Sequence, residues 1–203
     1  MEKYILRPIE TFEQDGMKLF SQKLENNSRL YILSGKPSVG KTAFCFKILY
    51  YQKLQNNFTN ILFIYFDKTI EYWKQKFSIQ DPESLKNIKF NKMKISNFHK
   101  LKSEILDQME EFNYHLIFID GIYSCGEFQE VKMYTSLLLD LMDMAHALQK
   151  PIILTARQNK PVLIPNIITH AHRPLLPETW FIERPDYLNG EIKKFGDNRI
   201  LVF

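Results

Sequence analysis

The sequence predicts an α/β domain: a mostly parallel central sheet flanked by helices, with an antiparallel β extension at the C-terminus. Three observations carry this reading. Apolar runs of strand length recur without polar alternation, as in Leu30-Tyr31-Ile32-Leu33, Ile61-Leu62-Phe63-Ile64-Tyr65-Phe66 and Leu116-Ile117-Phe118-Ile119. Such runs suit parallel strands buried on both faces. Stretches with apolar residues at helical spacing alternate with them, as a parallel sheet requires. Finally, Gly35-Lys36-Pro37-Ser38-Val39-Gly40-Lys41-Thr42 joins the first strand to a long helix and completes the G-x-x-x-x-G-K-[ST] phosphate-binding loop.

The elements follow in order. Residues 11–25 read as an amphipathic helix that ends in the turn Asn26-Asn27-Ser28. A strand at 30–34 leads through the loop to a helix over 41–56, which Asn56-Asn57 breaks. The apolar run 60–66 is a strand ending in Asp67, and a helix over 68–77 is closed by Asp81-Pro82. A short strand is expected near 93–96. Phe98, Leu101, Ile105, Met109 and Phe112 then mark one face of a helix over 98–112. The strand 114–120 ends in Asp120. Val131, Tyr134, Leu138, Leu141, Met142, Ala145 and Leu148 define a helix over 129–149, and 151–156 is the next strand. Strand-like pieces at 179–184, 190–194 and 199–203 follow, with Asn189-Gly190 as a hairpin-type turn.

A chain of 203 residues suits one domain over 1–203. Hydrophobic residues at 45% and charged residues at 25% argue against a disordered or fibrous chain. The longest apolar runs fall far short of the ~20 residues that span a bilayer. Met1-Glu2-Lys3-Tyr4 lacks a signal-peptide profile, so an intracellular, cytoplasmic protein is expected. Cys45 and Cys125 are too far apart for a metal or redox motif, although both fall beside the proposed nucleotide site. The net charge of +4 permits nucleic-acid contact without requiring it.

In open parallel sheets, ligands sit at the C-terminal ends of the strands. The loop 35–42, Asp67, Asp120 and residues 156–160 all follow strands and are expected to converge there. The two glycines let the loop turn tightly around phosphates, Lys41 supplies a point charge to the β- and γ-phosphates, and Thr42 offers a hydroxyl to Mg²⁺. Asp120 ends four apolar residues, the Walker B pattern, and a carboxylate there holds Mg²⁺ through a water. The competing role is an acid that ends the strand and caps the next helix. Asp67 suits either a base that orients the attacking water or an N-cap for the helix that begins at Lys68, with Glu71 a weaker competitor for the base. His170-x-His172 has no third ligand nearby to make a metal site.

Four stretches, in order, resemble the motor domain of DnaB-type replicative helicases, within the RecA-like ATPases. They are residues 34–44 around the phosphate-binding loop, 61–67 ending in Asp67, 116–120 ending in Asp120, and 147–160. The resemblance covers roughly residues 12–203. It implies a RecA-like fold, ATP and Mg²⁺ as cofactors, and subunits in a ring or filament with ATP between them. By the same resemblance Asp67 takes the place of the catalytic glutamate, and Arg157 or Gln158 that of the glutamine that senses the γ-phosphate. Lys194 and Arg199 are the counterparts of residues reaching a neighbour's ATP. The long connection 157–177 sits where RecA-like proteins carry a DNA-binding loop, so Lys160, His170, His172 and Arg173 are candidates for single-stranded DNA contact.

Asp67 is one methylene shorter than the family's glutamate, a departure that implies slow hydrolysis. The leading expectation is an ATPase domain of DNA replication or recombination. Its alternative is a nucleotide-responsive accessory protein that hydrolyses ATP weakly and binds a replication or recombination partner. A small-molecule kinase is a weaker third reading, because no compact arginine cluster supplies a lid.

Overall fold

A computed structural model describes residues 18–25, 28–54, 60–66, 69–80, 86–93, 103–104, 106–108, 113–121, 131–157, 177–183 and 199–201. Within them the chain forms α1 (residues 18–25), β1 (Leu30–Gly35), α2 (Lys41–Leu54), β2 (Ile61–Tyr65), α3 (Thr69–Gln80) and β3 (Ile88–Lys92). It continues with α4 (103–104 and 106–108), β4 (Leu116–Asp120), α5 (Val131–Leu148), β5 (Ile152–Arg157), β6 (Glu178–Glu183) and β7 (Arg199–Leu201).

The strands make one seven-stranded sheet in the order β3-β2-β4-β5-β1-β6-β7. All its described pairings are parallel. The α/β class and the parallel sheet are as the sequence predicts. The expected antiparallel extension is not: β6 pairs with β1 from Tyr31↔Glu178 to Ser34↔Phe181, and β7 continues from β6, both in parallel. An apolar run such as Trp180-Phe181-Ile182 encodes burial but not direction. Direction follows from the connection between Arg157 and Glu178, which exceeds the dozen residues a parallel crossover needs. The hairpin turn at Asn189-Gly190 and the strand at 190–194 lie outside the described residues.

The described strand of this region is β3, over Ile88–Lys92; of the strand expected near 93–96, only Met93 lies within the described residues, just past the end of β3. As one of the two edge strands described, β3 is only half-buried and mixes Lys89, Asn91 and Lys92 with Ile88 and Phe90, so it lacks the unbroken apolar signal of the inner strands.

Alternate residues of each strand feed two cores, as the pleat requires. On one face Ile32, Ile64, Ile117, Ile119 and Leu154 pack with Leu137, Leu138, Leu141 and Ala145 of α5. On the other, Leu33, Phe63, Phe118 and Ile153 pack with Phe44, Phe46 and Ile48 of α2. On this second face Phe20 of α1 lies edge-on to Tyr31, Phe44 and Trp180, with ring centroids 5.5, 6.1 and 5.0 Å away. That T-shaped geometry suits aromatic quadrupoles. Glu178 fastens the same corner: it accepts from Trp180 Nε1 at 3.0 Å and pairs with Lys23 and Arg29, each at 3.7 Å. Fully buried β1 is thereby clamped between β5 and β6, and its C-terminal end points the phosphate-binding loop at the rim.

Candidate functional site

β1 ends at Gly35, and the exposed Lys36, Pro37 and Ser38 carry the chain over the sheet's rim. Buried Val39 anchors the loop in the core beside α2. Ser38 and Gly40 hold left-handed backbone angles, with φ of 59° and 105°. Turns that mix right- and left-handed residues gather successive N–H groups into an anion-binding concavity. The first helical bond of α2 runs from Phe44 N to Gly40 O at 2.8 Å, so the N–H groups of the first turn have no acceptor within the helix. No acidic residue occupies that turn to satisfy its dipole internally. Lys41 Nζ donates to Gly35 O at 2.8 Å and to Lys36 O at 2.7 Å, which curls the ammonium back over its own loop.

Asp120, expected at a strand end, is the last residue of β4. It is 4% exposed and accepts at Oδ2 from Thr42 Oγ1 at 2.8 Å. β5 lies between β1 and β4, so the loop's strand and the acid's strand sit about 10 Å apart. Thr42 spans that gap from the first turn of α2, directly above β5. Beneath it, Thr155 of β5 donates to Asp120 Oδ1 at 2.7 Å and accepts from Gly121 N at 3.1 Å. Both carboxylate oxygens thus have hydroxyl donors, which offsets the cost of burying a charge.

Thr155 was not among the residues singled out in the sequence, although a signal was present. It is the polar member of Ile152-Ile153-Leu154-Thr155-Ala156, and a hydroxyl buried in such a strand needs a partner.

Cys45, one turn into α2, is fully buried. Burial pushes its thiol well above the usual range; the charge of Asp120 adds to this and that of Lys41 opposes it. Its place is in the core on the α2 face of the sheet, where it packs as a small apolar group. On the next strand, Tyr65 ends β2 in register with Asp120, and its phenol donates to Glu71 Oε1 of α3 at 2.6 Å. Glu71 also pairs with Lys74 at 3.6 Å.

Of the predicted site residues, the structure brings together Gly35, Gly40, Lys41, Thr42 and Asp120. Arg157 ends β5 on the same rim, but its side chain lies outside the described residues, as do Asp67, Gln158, Lys160, His170, His172, Arg173 and Lys194. Arg199 begins β7, at the far end of the sheet order from β3, and its side chain is likewise outside them.

Thr42 and Asp120 offer a hydroxyl and a carboxylate oxygen side by side, a hard-oxygen pair that fits Mg²⁺. Among the described residues no three His, Cys, Asp or Glu side chains converge. The donor set therefore suits a cation that takes the rest of its shell from phosphates and water.

No protein-family model matches this sequence, and no curated protein matches it. Among solved structures, 247 chains match. One is the KaiC-like protein PH0186 from the hyperthermophilic archaeon Pyrococcus horikoshii OT3, 18% identical with a TM-score of 0.51. The match spans 64% of this chain and 62% of that one. With the parallel sheet and the loop after β1, this likeness defines a RecA-like α/β fold. Among the described residues, no helix is long and apolar enough to cross a membrane.

Proposed function

We propose that this chain is an ATPase domain that binds Mg·ATP on the rim formed by β1, β5 and β4, and that it works on single-stranded DNA in replication or recombination. The observation that carries the nucleotide reading is the Thr42–Asp120 bond, which joins the phosphate-binding loop to the Walker B strand. Lys41 and the loop amides would balance charge on the β- and γ-phosphates, and the positive end of α2 would add to it. Thr42 and Asp120 would hold Mg²⁺, which when bound neutralises charge on the transferred phosphoryl group. Asp67 would orient water, and Arg157 or Gln158 would sense the γ-phosphate.

The DNA role rests on the DnaB-type order of motifs and on the basic residues Lys160, His170, His172 and Arg173, which follow β5 in the sequence. Lys194 and Arg199 would reach a neighbouring subunit's ATP in a ring or filament. Asp67 in place of a glutamate favours a second reading, an accessory protein that binds ATP, turns it over slowly and acts on a replication or recombination partner.

The test is ATP binding by equilibrium titration, with turnover measured with and without single-stranded DNA across protein concentration. Mg²⁺-dependent ATP binding that Lys41→Ala abolishes is the expected result. DNA-stimulated, concentration-dependent turnover selects the motor, and tight binding with negligible turnover selects the accessory protein. Absence of ATP binding in the parent protein overturns both.

A further inference from the structure

We infer that Thr155 is the positioning residue that fixes the Asp120 carboxylate for one-oxygen cation binding, and that it thereby selects Mg²⁺ over Ca²⁺ at this site. The inference rests on the nucleotide reading above and assigns cation selectivity to a residue on the strand between the two motifs.

The geometry forms a short chain of hydrogen bonds. The β4–β5 ladder runs in register from Ile117↔Ile152 to Ile119↔Leu154. One step on, Asp120 and Thr155 come side by side. Gly121 then turns out of the strand with a φ of 76°, a left-handed angle that suits glycine. Its N–H donates to the Thr155 hydroxyl at 3.1 Å, and that hydroxyl donates its own hydrogen bond to Asp120 Oδ1 at 2.7 Å. Accepting from Gly121 fixes the hydroxyl rotor, so the donated proton has one direction. Thr155 is 3% exposed and Asp120 4%, so water does not compete for these bonds.

The consequence concerns how many oxygens Asp120 can give away. Oδ1 is held by Thr155 on the sheet side, and Oδ2 faces Thr42 and the loop. Of the two oxygens, Oδ2 is the one bonded to the residue that closes the phosphate-binding loop. A carboxylate so held serves a cation through a single oxygen, directly or through water. Mg²⁺ accepts such a site, because it keeps several waters and an octahedral shell. Ca²⁺ prefers six to eight oxygens and often takes a carboxylate through both. Locking Oδ1 denies it that option.

The experiment measures ATP affinity of the full chain by titration in Mg²⁺, in Ca²⁺ and in EDTA, for the parent, Thr155→Val and Thr155→Ser. Valine keeps the shape and removes the hydroxyl; serine restores it. Partners that orient metal ligands are worth about 10–100-fold in metal affinity. Thr155→Val is expected to weaken ATP binding in Mg²⁺ about tenfold or more. It should leave binding in EDTA unchanged and narrow the preference for Mg²⁺ over Ca²⁺, while Thr155→Ser recovers the parent's pattern. Circular dichroism melting without nucleotide confirms that each variant is folded. Should Thr155→Val prove unfolded, Thr155→Ser carries the test: parent-like Mg²⁺ preference supports the inference, and its loss in a folded Ser variant overturns it. A folded Thr155→Val with the parent's Mg²⁺ dependence and Ca²⁺ discrimination overturns the inference and leaves the nucleotide reading intact. A parent that binds no ATP in any of the three conditions overturns both.

Discussion

Thr42 on α2 and Asp120 at the tip of β4 share a hydrogen bond of 2.8 Å although 78 residues separate them. The bond crosses above the intervening strand β5 and makes one site of two motifs that each end a strand. Removing either side breaks a different part of it. Asp120→Asn deletes the charge and keeps the shape, whereas Thr42→Val keeps the charge and deletes the donor. Each is expected to lower Mg²⁺-dependent ATP turnover about a hundredfold, since a metal-held charge is worth several kcal/mol in the transition state. In the double variant the losses should fall short of additive, because the residues act on one another. Steady-state rates for the two single variants and the double variant close the cycle; full additivity would mean that the bond has no functional part.

The loop's backbone makes a separate prediction. Gly40 sits at a φ of 105° and Ser38 at 59°. A Cβ at the first angle is sterically forbidden, while the second is a left-handed position that a non-glycine residue occupies at a cost of about 1 kcal/mol or more. Gly40→Ala is therefore expected to lower the melting temperature by a few degrees, at ~2–4 °C per kcal/mol for a chain this long, and to abolish ATP binding. Ser38→Gly should bind ATP as the parent does and melt no lower. Equal melting temperatures for parent and Gly40→Ala would contradict the assigned loop geometry.

The inner strands were legible because parallel strands buried on both faces carry unbroken apolar runs: β1, β2 and β4 are buried at every position. The loop's position after β1 was legible from its own spacing of glycines, Lys41 and Thr42, and that of Asp120 at a strand end from the apolar run it closes. Edge strand β3 was not legible, since a half-buried strand needs few apolar residues. The direction of β6 and β7 was misread, because pairing direction belongs to the crossover and not to the strand. Thr155 was passed over for a different reason. A hydroxyl's role depends on which strand lies beside it, and the neighbour of β5 is set by the sheet order, which local pattern does not record.

Tyr65 and Glu71 supply a pH-dependent test. Burial, followed by the hydrogen bond and charge of Glu71, raises the Tyr65 phenol from 10 up to about 12. The bond from Tyr65 first, and the charge of Lys74 further, hold Glu71 below its ordinary value. The raised phenol contributes stability that is intact below pH 10 and is lost as pH rises from 10 toward 12. The depressed carboxyl contributes stability that is present above its unfolded value and is lost as pH falls through the folded one. Tyr65→Phe should cost about 1 kcal/mol at neutral pH, the net worth of one hydrogen bond. It should also flatten the stability profile between pH 10 and 12 relative to the parent. Urea titrations at pH 8 and pH 11 measure both; an unchanged alkaline slope would show that the phenol is not raised in the folded protein.

The end of α5 carries the last prediction, and it concerns stability alone. Lys150 N donates to Ala145 O and Gln149 N to His146 O, each at 3.2 Å, and Gln149 has a φ of 52°. These two bonds, with a left-handed residue between the helix and the chain beyond, form the Schellman closure, in which glycine is the preferred occupant. Glutamine is a strained choice there, partly offset by its side-chain bond from Nε2 to His146 O at 2.7 Å. That bond is exposed, so water replaces it at little cost. Gln149→Gly relieves the left-handed penalty of about 1–2 kcal/mol and returns part of it as greater freedom of the unfolded chain. The net expectation is a gain of about 0.5–1 kcal/mol, or roughly 1–4 °C in melting temperature, with ATP binding unchanged. Gln149→Ala is the control, since it loses the side-chain bond and keeps the strain, and it should melt at or below the parent. A Gly variant that melts no higher than the Ala variant would show that the left-handed closure is not what ends α5.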